Sequence, residues 1–162
     1  MTVVVRPAAP GDDHALAVLD AEAWPPELWV VPPQPADQPF FSSRRRPQDV
    51  LVAEEAGTLL GYARLARHIA VDSNAHVLHL NAIVVAPSAR GRRVGSLLLD
   101  EAIAEARHRG ARKLGLRVLS TNELALGLYR RHGFVEEGRL RDEFRRPDGS
   151  FVDDIWMALW LE

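Results

Sequence analysis

The sequence predicts an α/β domain built on a central mixed β-sheet, and three observations support this class. Short runs rich in β-branched residues alternate along the chain with segments whose apolar residues recur at helical spacing. Glycine follows two of the helical segments at the position where helices commonly end. The length of 162 residues suits one domain, so we expect residues 1–162 to form a single domain with about seven strands, mostly antiparallel, flanked by helices.

The first half of the chain contains three strands and one helix in this prediction. The strands cover 2–6, 50–55 and 59–69, and the last two form a hairpin over Ala56-Gly57-Thr58. Asp12 is placed to cap a helix over 13–23. Between them, residues 24–47 are rich in proline and aromatic residues, so we expect an ordered loop with at most a helical turn or two.

The second half alternates strands and helices before a final hairpin. We expect strands over 76–85, 113–119, 134–145 and 151–160, and helices over 94–109 and 123–132. Gly110 and Gly133 take the C′ positions of the two helices. A turn at Pro147-Asp148-Gly149 joins the last two strands.

Composition excludes several classes of protein. The net charge of −2 argues against nucleic-acid binding, which scales with the number of phosphates neutralised. All apolar runs are short, so we expect no membrane span, and the N-terminus lacks the features of a signal peptide. The absence of cysteine removes disulfides and thiolate metal sites, and we expect no metal. Together these features predict a cytoplasmic protein.

The segment from Asn81 to Arg109 carries the strongest functional signal. An apolar strand ends near Val85, and a turn rich in arginine and glycine, 90–95, leads into a helix. A helix N-terminus offers unpaired N–H groups and the positive end of the helix dipole, which together bind phosphate groups. A solvated basic turn is the plain alternative. The common nucleotide-binding patterns G-x-x-x-x-G-K-[ST] and G-x-G-x-x-G are both absent.

Two motifs in this order resemble those of the GCN5-related N-acetyltransferases (GNAT). Arg90, Val94 and Gly95 match the R/Q-x-x-G-x-G/A signature, with Arg93 in place of its first glycine. The segment 122–134, NELALGLYRRHGF, is similar to the N-x-x-A-x-x-L-Y-x-x-x-G-F motif that follows in this family. The resemblance extends from about Val3 to Leu161. It implies a GNAT-type fold in which two central strands splay apart to receive acetyl-CoA.

The resemblance also implies where acetyl-CoA binds. The pyrophosphate would lie on the turn and the start of the helix, and the pantetheine arm would bond to the strand ending near Val85 as an extra strand would. One N–H, from Val84 or Val85, would polarise the thioester carbonyl. The expected cofactor-binding residues are Ile83, Val84, Val85, Arg90, Gly91, Arg92, Arg93, Val94, Gly95, Ser96, Asn122 and Tyr129.

Catalytic roles follow from the same resemblance and from what the chain lacks. With no cysteine and no G-x-S-x-G context for serine, direct attack by an acceptor amine is the economical mechanism. Tyr129 corresponds to the family's tyrosine near the thioester sulfur and is the expected proton donor. His79 occupies the position of the catalytic glutamate of histone acetyltransferases and is the expected base. Asn81 could instead hold a relay water, and a plain helix cap is the alternative role for Asn122.

The acceptor site is expected between the proline-rich loop and the C-terminal hairpin. By analogy with the family, the loop would contribute Trp24, Trp29, Phe40 and Phe41, and Asn81 would also face the substrate. Four carboxylates of the hairpin could receive a cationic amine, although charged strand faces explain each singly: Asp142, Glu143, Asp153 and Asp154.

Three activities remain open at this point. The first is acetylation of a primary amine on a small molecule such as an amino acid or polyamine. The second is acetylation of peptide or protein N-termini, of the kind found on ribosomal proteins. The third is a non-catalytic acyl-CoA-binding module that regulates a partner. A homodimer is also compatible with the resemblance, although the sequence identifies no interface.

Overall fold

A computed structural model describes residues 2–162 and contains one seven-stranded sheet. The sheet order is β1-β2-β3-β4-β5-β7-β6, with β4 and β5 parallel and every other neighbouring pair antiparallel. The strands are β1 Val4–Pro7, β2 Val50–Glu55, β3 Thr58–Ala66, β4 Val77–Val85, β5 Lys113–Leu119, β6 Val135–Arg145 and β7 Phe151–Trp160. This confirms the predicted mixed, mostly antiparallel α/β class.

Three helices flank the sheet: α1 Asp13–Ala23, α2 Val94–His108 and α3 Glu123–Arg131. The helices α2 and α3 end before Gly110 and Gly133, whose φ angles of 79° and 92° confirm the predicted C′ positions. The loop between α1 and β2 contains only single 3-10 turns at Pro26–Leu28 and Pro47–Asp49, as its proline content predicts. No helix within residues 2–162 combines the length and the apolar character needed to cross a bilayer.

Two apolar clusters lie on the sheet. The larger one contains the buried face of α2, with Leu98, Leu99 and Ala102 wholly buried, together with Leu126 and Tyr129 of α3. The smaller one packs α1 against the sheet, where Leu16 meets Val52, Tyr62 and Val84. Each cluster buries one face of the central strands, which explains why β2 to β5 read as nearly continuous apolar runs.

The sheet is split at its centre. Strands β4 and β5 pair only from Val77↔Lys113 to Leu80↔Leu116, and beyond that point each strand continues without the other. On their outer sides β4 stays paired with β3 and β5 with β7. The predicted splay of two central strands is therefore confirmed.

A β-bulge lies where the split begins. Arg64 pairs with Ala82 and Leu65 pairs with Leu80, so Asn81 is the extra residue on β4. The bulge changes which side chains share a face. Leu80 and Ile83 both contact the α2 cluster, whereas strict alternation would put them on opposite faces.

The backbone of β3 approaches β4 closely at Gly61. A Cβ atom at this position would lie 2.5 Å from the Val84 carbonyl oxygen and 3.0 Å from Leu98 Cδ1. We expect Gly61→Ala to lower the free energy of unfolding by about 1–3 kcal/mol, since overpacking displaces backbone here. Gly138→Ala in β6, where a Cβ atom meets nothing within 4 Å, is the matched control. Equal urea midpoints for the two variants would contradict this account.

Candidate active site

A cavity of about 650 Å³ opens on the α1 side of the sheet where β4 and β5 separate. Its floor includes Ile83 and Val118 from the two sides of the split. The proline-rich loop covers it, and Tyr129 closes it from α3. A volume of this size holds a small-molecule ligand. The cavity is thus lined by the split strands, by the proline-rich loop and by Tyr129 of the second sequence motif.

The turn before α2 leaves its backbone N–H groups free. The first helical bond runs from Leu97 N–H to Arg93 O at 3.1 Å. Among residues 2–162 the N–H groups of Val94, Gly95 and Ser96 find no acceptor, and the first turn of α2 carries no acidic side chain. Three unpaired donors at the positive end of a 15-residue helix form a site for an anion.

Arg93 has the left-handed backbone conformation that the missing glycine would adopt easily. Its φ and ψ angles are 61° and 17°. The other two arginines of the turn are engaged elsewhere: Arg90 donates to the Ala23 carbonyl at 2.5 Å, and Arg92 pairs with Glu55 at 2.8 Å. Arg93 makes no side-chain hydrogen bond or ion pair to residues 2–162 and is exposed. It is the arginine of this turn that is free to meet a ligand.

The open edge of β4 presents alternate backbone groups to the split. The Ala86 N–H donates to Leu60 O of β3 at 2.8 Å, so residues two apart from it, including Val84, also point toward β3. The N–H and C=O groups of Ile83 and Val85 therefore face away from β3, toward the split. Of the two residues expected to supply the thioester donor, only Val85 has this orientation.

Tyr129 is 6% exposed and lines the cavity from α3. Its ring packs against Phe134 at 5.7 Å between centroids, as a core tyrosine would. Burial raises the pKa of the Tyr129 hydroxyl above its ordinary value, so the phenol stays protonated at neutral pH. Asn122, which also lines the cavity, caps the same helix by accepting the Ala125 N–H at 3.3 Å.

His79 does not line this cavity. It lies before the bulge, and its ring packs beside His68 and Trp156 at centroid distances of 4.9 and 6.0 Å. Regular alternation would put His79, Ile83 and Val85 on one face, but the bulge at Asn81 shifts the alternation, so Ile83 and Val85 pack against the α2 cluster and His79 faces the opposite side. Burial, followed by the nearby His68, lowers the pKa of His79.

The aromatic residues of the loop divide between cavity and core. Trp24 and Trp29 line the cavity, and the Trp24 indole donates to Asp20 at 3.1 Å. Phe40 is 1% exposed and packs edge-on against Tyr62 at 5.1 Å, so it belongs to the α1 cluster. Phe41 packs against the same cluster and likewise lies outside the cavity lining. Asn81, at the bulge, does line the cavity.

Of the four carboxylates expected in the hairpin wall, only Asp154 reaches the cavity. It is 2% exposed and accepts from Arg117 Nε at 2.7 Å. Asp153 instead pairs with Arg139, while Asp142 and Glu143 are exposed. Phe144 is the other hairpin residue in the lining. The C-terminal wall is therefore much less acidic than the sequence suggests.

Four charged lining residues escaped the sequence analysis: Asp20, Arg45, Arg64 and Arg117. Arg64 and Arg117 each interrupt an apolar stretch within a strand, and that interruption was the available signal. Asp20 accepts the Tyr62 hydroxyl at 2.5 Å and lies 3.8 Å from Arg45. No local pattern marks these two, because a helix and a distant loop bring them together.

Comparisons with known proteins agree with this geometry. The model of the Acetyltransferase (GNAT) family matches residues 15–134. L-amino acid N-acyltransferase MnaT of Escherichia coli is 30% identical over 113 residues, covering 70% of this chain and 64% of that protein. A ribosomal-protein-alanine N-acetyltransferase from Brucella melitensis has a similar structure, with a TM-score of 0.78, 27% identity and coverage of 98% and 99% of the two chains.

The structure of yncA from Salmonella typhimurium, solved with its cofactor acetyl-CoA, shares the fold at a TM-score of 0.79 and 22% identity. That match covers 100% of this chain and 95% of yncA. The family model spans both sequence motifs, the split strands and the free helix N-terminus. The chain therefore belongs to the GNAT family of acetyltransferases and is an acetyl-CoA-dependent N-acetyltransferase.

Proposed function

We propose that this chain acetylates a primary amine of a small molecule, by direct attack of the amine within a ternary complex. The observation that carries the proposal is the cavity at the split. Its lining includes Ile83 at the open edge of β4, Tyr129 of α3 and residues of the proline-rich loop, which supports a shared site for cofactor and acceptor. Two relatives bear names that point to different acceptors, an L-amino acid and a ribosomal-protein alanine. The loop that covers the cavity favours the smaller one.

The residues present fit acetyl-CoA. The free N–H groups of Val94, Gly95 and Ser96, with the Arg93 guanidinium beside them, suit a pyrophosphate. The groups of Ile83 and Val85 that face the split suit the amides of an extended arm, which would bond there as an extra strand does. When bound, acetyl-CoA supplies an activated acetyl group as a thioester. Val84 would contribute through its side chain in the core and not through its backbone.

Groups of the chain itself would then stabilise the developing negative charge and transfer protons. The Val85 N–H is oriented to donate to a carbonyl oxygen as negative charge develops on it. Tyr129 holds a proton at its hydroxyl, because its raised pKa keeps the phenol neutral, and it can give that proton to a departing thiolate. Loss of the acceptor's own proton requires a base. An alkylammonium of pKa about 10 is otherwise unreactive at neutral pH.

We assign this base role to His79, acting through water. Its lowered pKa keeps the imidazole neutral at pH 7, so it is ready to accept a proton. The ring lies outside the cavity lining, which means that a water must connect it to the amine. Asn81 lines the cavity two residues further along β4 and is exposed, so its amide can hold that water.

Acetyl-CoA-dependent thiol release tests the proposed reaction. Small amines with amino acids form one acceptor pool, and short peptides with free N-termini form the other. We expect release with the small acceptors, and a fall in kcat of about 10²-fold in Tyr129→Phe with an unchanged KM for acetyl-CoA. The chain contains no cysteine, so it contributes no thiol background. Thiol release with peptides alone would show that the chain acetylates peptide N-termini. Acetyl-CoA binding without thiol release would indicate a non-catalytic module.

The pH dependence tests the base. For the wild type, we expect kcat/KM to rise with pH through an apparent pKa below the ordinary histidine value of about 6.5, because only neutral His79 accepts a proton. His79→Gln should lose this limb and fall about 10²-fold in rate. The control is His76→Gln, an exposed histidine just before β4. If the limb persists in His79→Gln, the proton must leave by a route that does not involve this residue.

Calorimetry of acetyl-CoA binding tests the turn. We expect Arg93→Glu to weaken binding at least about tenfold, since it places a negative charge beside the pyrophosphate. A glutamate at a helix N-terminus favours the folded state, so unfolding cannot explain such a loss. Arg93→Gly should keep binding within a few-fold and raise Tm, because glycine removes the left-handed strain. Arg107→Glu in the last turn of α2 is the charge-matched control, and equal affinities for both glutamate variants would contradict the assignment.

A further inference from the structure

The cavity contains one cation without a counter-charge. Arg64 lines it from β3, beside the bulge. Its Nε atom is buried and has no hydrogen-bond partner among residues 2–162. Its Nη2 atom donates to the Arg44 carbonyl at 2.5 Å, and no carboxylate of the described chain lies within ion-pair distance. Burial and the nearby Arg45 lower the pKa of Arg64, although Asp49 and Tyr62 act in the opposite direction.

The other charged groups of the cavity already have partners. Asp20 accepts the Tyr62 hydroxyl and the Trp24 indole and lies 3.8 Å from Arg45 Nη1. Arg45 also donates to the Phe40 carbonyl at 2.6 Å. On the opposite wall, Asp154 accepts from Arg117, whose guanidinium stacks 4.7 Å from the Trp156 ring centroid. Three guanidinium groups thus face two carboxylates, and the excess positive charge belongs to Arg64.

We propose that Arg64 binds a carboxylate of the acceptor, so that the acceptor is a free α-amino acid. This inference rests on the proposed function and narrows its substrate class. Arg64 lines the cavity without an ion-pair partner, and a carboxylate there can accept charge-assisted hydrogen bonds from its guanidinium N–H groups. Such a ligand supplies the missing counter-charge. A peptide N-terminus presents a neutral amide at the same position and leaves Arg64 uncompensated.

The position of Arg64 suits this pairing. It lies on β3, one strand from the split, and neighbouring strands are roughly 4.8 Å apart. An α-amino acid carries its amine and its carboxylate on the same carbon, so the carboxylate can rest over β3 while the amine reaches the split. The remaining substituent meets the covering loop. Trp24, Leu28 and Trp29 line that side and favour an apolar side chain.

Binding measurements test the proposal without requiring turnover. The protein is saturated with coenzyme A and titrated calorimetrically with L-leucine, L-methionine and L-phenylalanine, and then with the amide of each. We expect at least one acid to bind, and to bind at least about tenfold more tightly than its amide. Arg64→Gln should abolish this preference, and Arg64→Lys should restore part of it. Arg67→Gln, just beyond the end of β3 and outside the cavity lining, should leave the preference intact.

Two binding results would overturn the proposal: no binding by any of the three acids, or an acid-to-amide preference that survives Arg64→Gln. Thermal unfolding of each variant shows whether a loss of binding is caused by a loss of folded structure. Activity separates this proposal from the proposed function. If an acid binds through Arg64 but yields no thiol release, the carboxylate site is upheld and acetylation of that acid is refuted. If amides and amines are acetylated as well as the acids, the reaction is upheld and the carboxylate site is refuted.

Discussion

The separation of β4 from β5 is the constraint on which the rest of the structure depends. The two strands are joined by hydrogen bonds only at one end, while β3 and β7 hold their outer edges along most of their length. Neither strand can therefore close the gap without losing its other neighbour. Backbone groups left open inside a protein need partners. An extended ligand arm can supply them, and the free N-terminus of α2, the open edge of β4 and Tyr129 all adjoin the same gap.

The bulge at Asn81 decides what faces the gap. It keeps Leu80 and Ile83 against α2 and leaves His79 on the other side of the strand, in an aromatic group with Trp156. The bulge also lies opposite Arg64 of β3, where it interrupts the regular pairing of the two strands. A single extra residue thus decides which side chains of β4 pack against α2 and which face α1. Bulges are common beside active sites because they redirect side chains in this way.

The sequence predicted the fold and the turn before α2 better than it predicted which residues line the cavity. Local patterns determine the helices, the C′ glycines and the turn at Arg93, and these predictions agree with the structure. The bulge was hidden because residues 82–85 are all apolar, so a shift in alternation leaves no trace. Likewise, composition cannot tell Phe40, which fills the core, from Trp24, which lines the cavity. Such assignments depend on long-range packing that no single segment encodes.

Burial affects the three ionisable groups Tyr129, His79 and Arg64 in different ways. An apolar setting keeps the Tyr129 phenol neutral, as a proton donor must be, and a partly buried, cationic setting keeps the His79 imidazole neutral, as a base must be. Arg64 differs from these two residues, because a guanidinium keeps its charge when it is desolvated. Our proposal is that a carboxylate of the acceptor meets this charge. Under our proposal, the burial that keeps Tyr129 and His79 neutral makes Arg64 select an acceptor that carries a carboxylate.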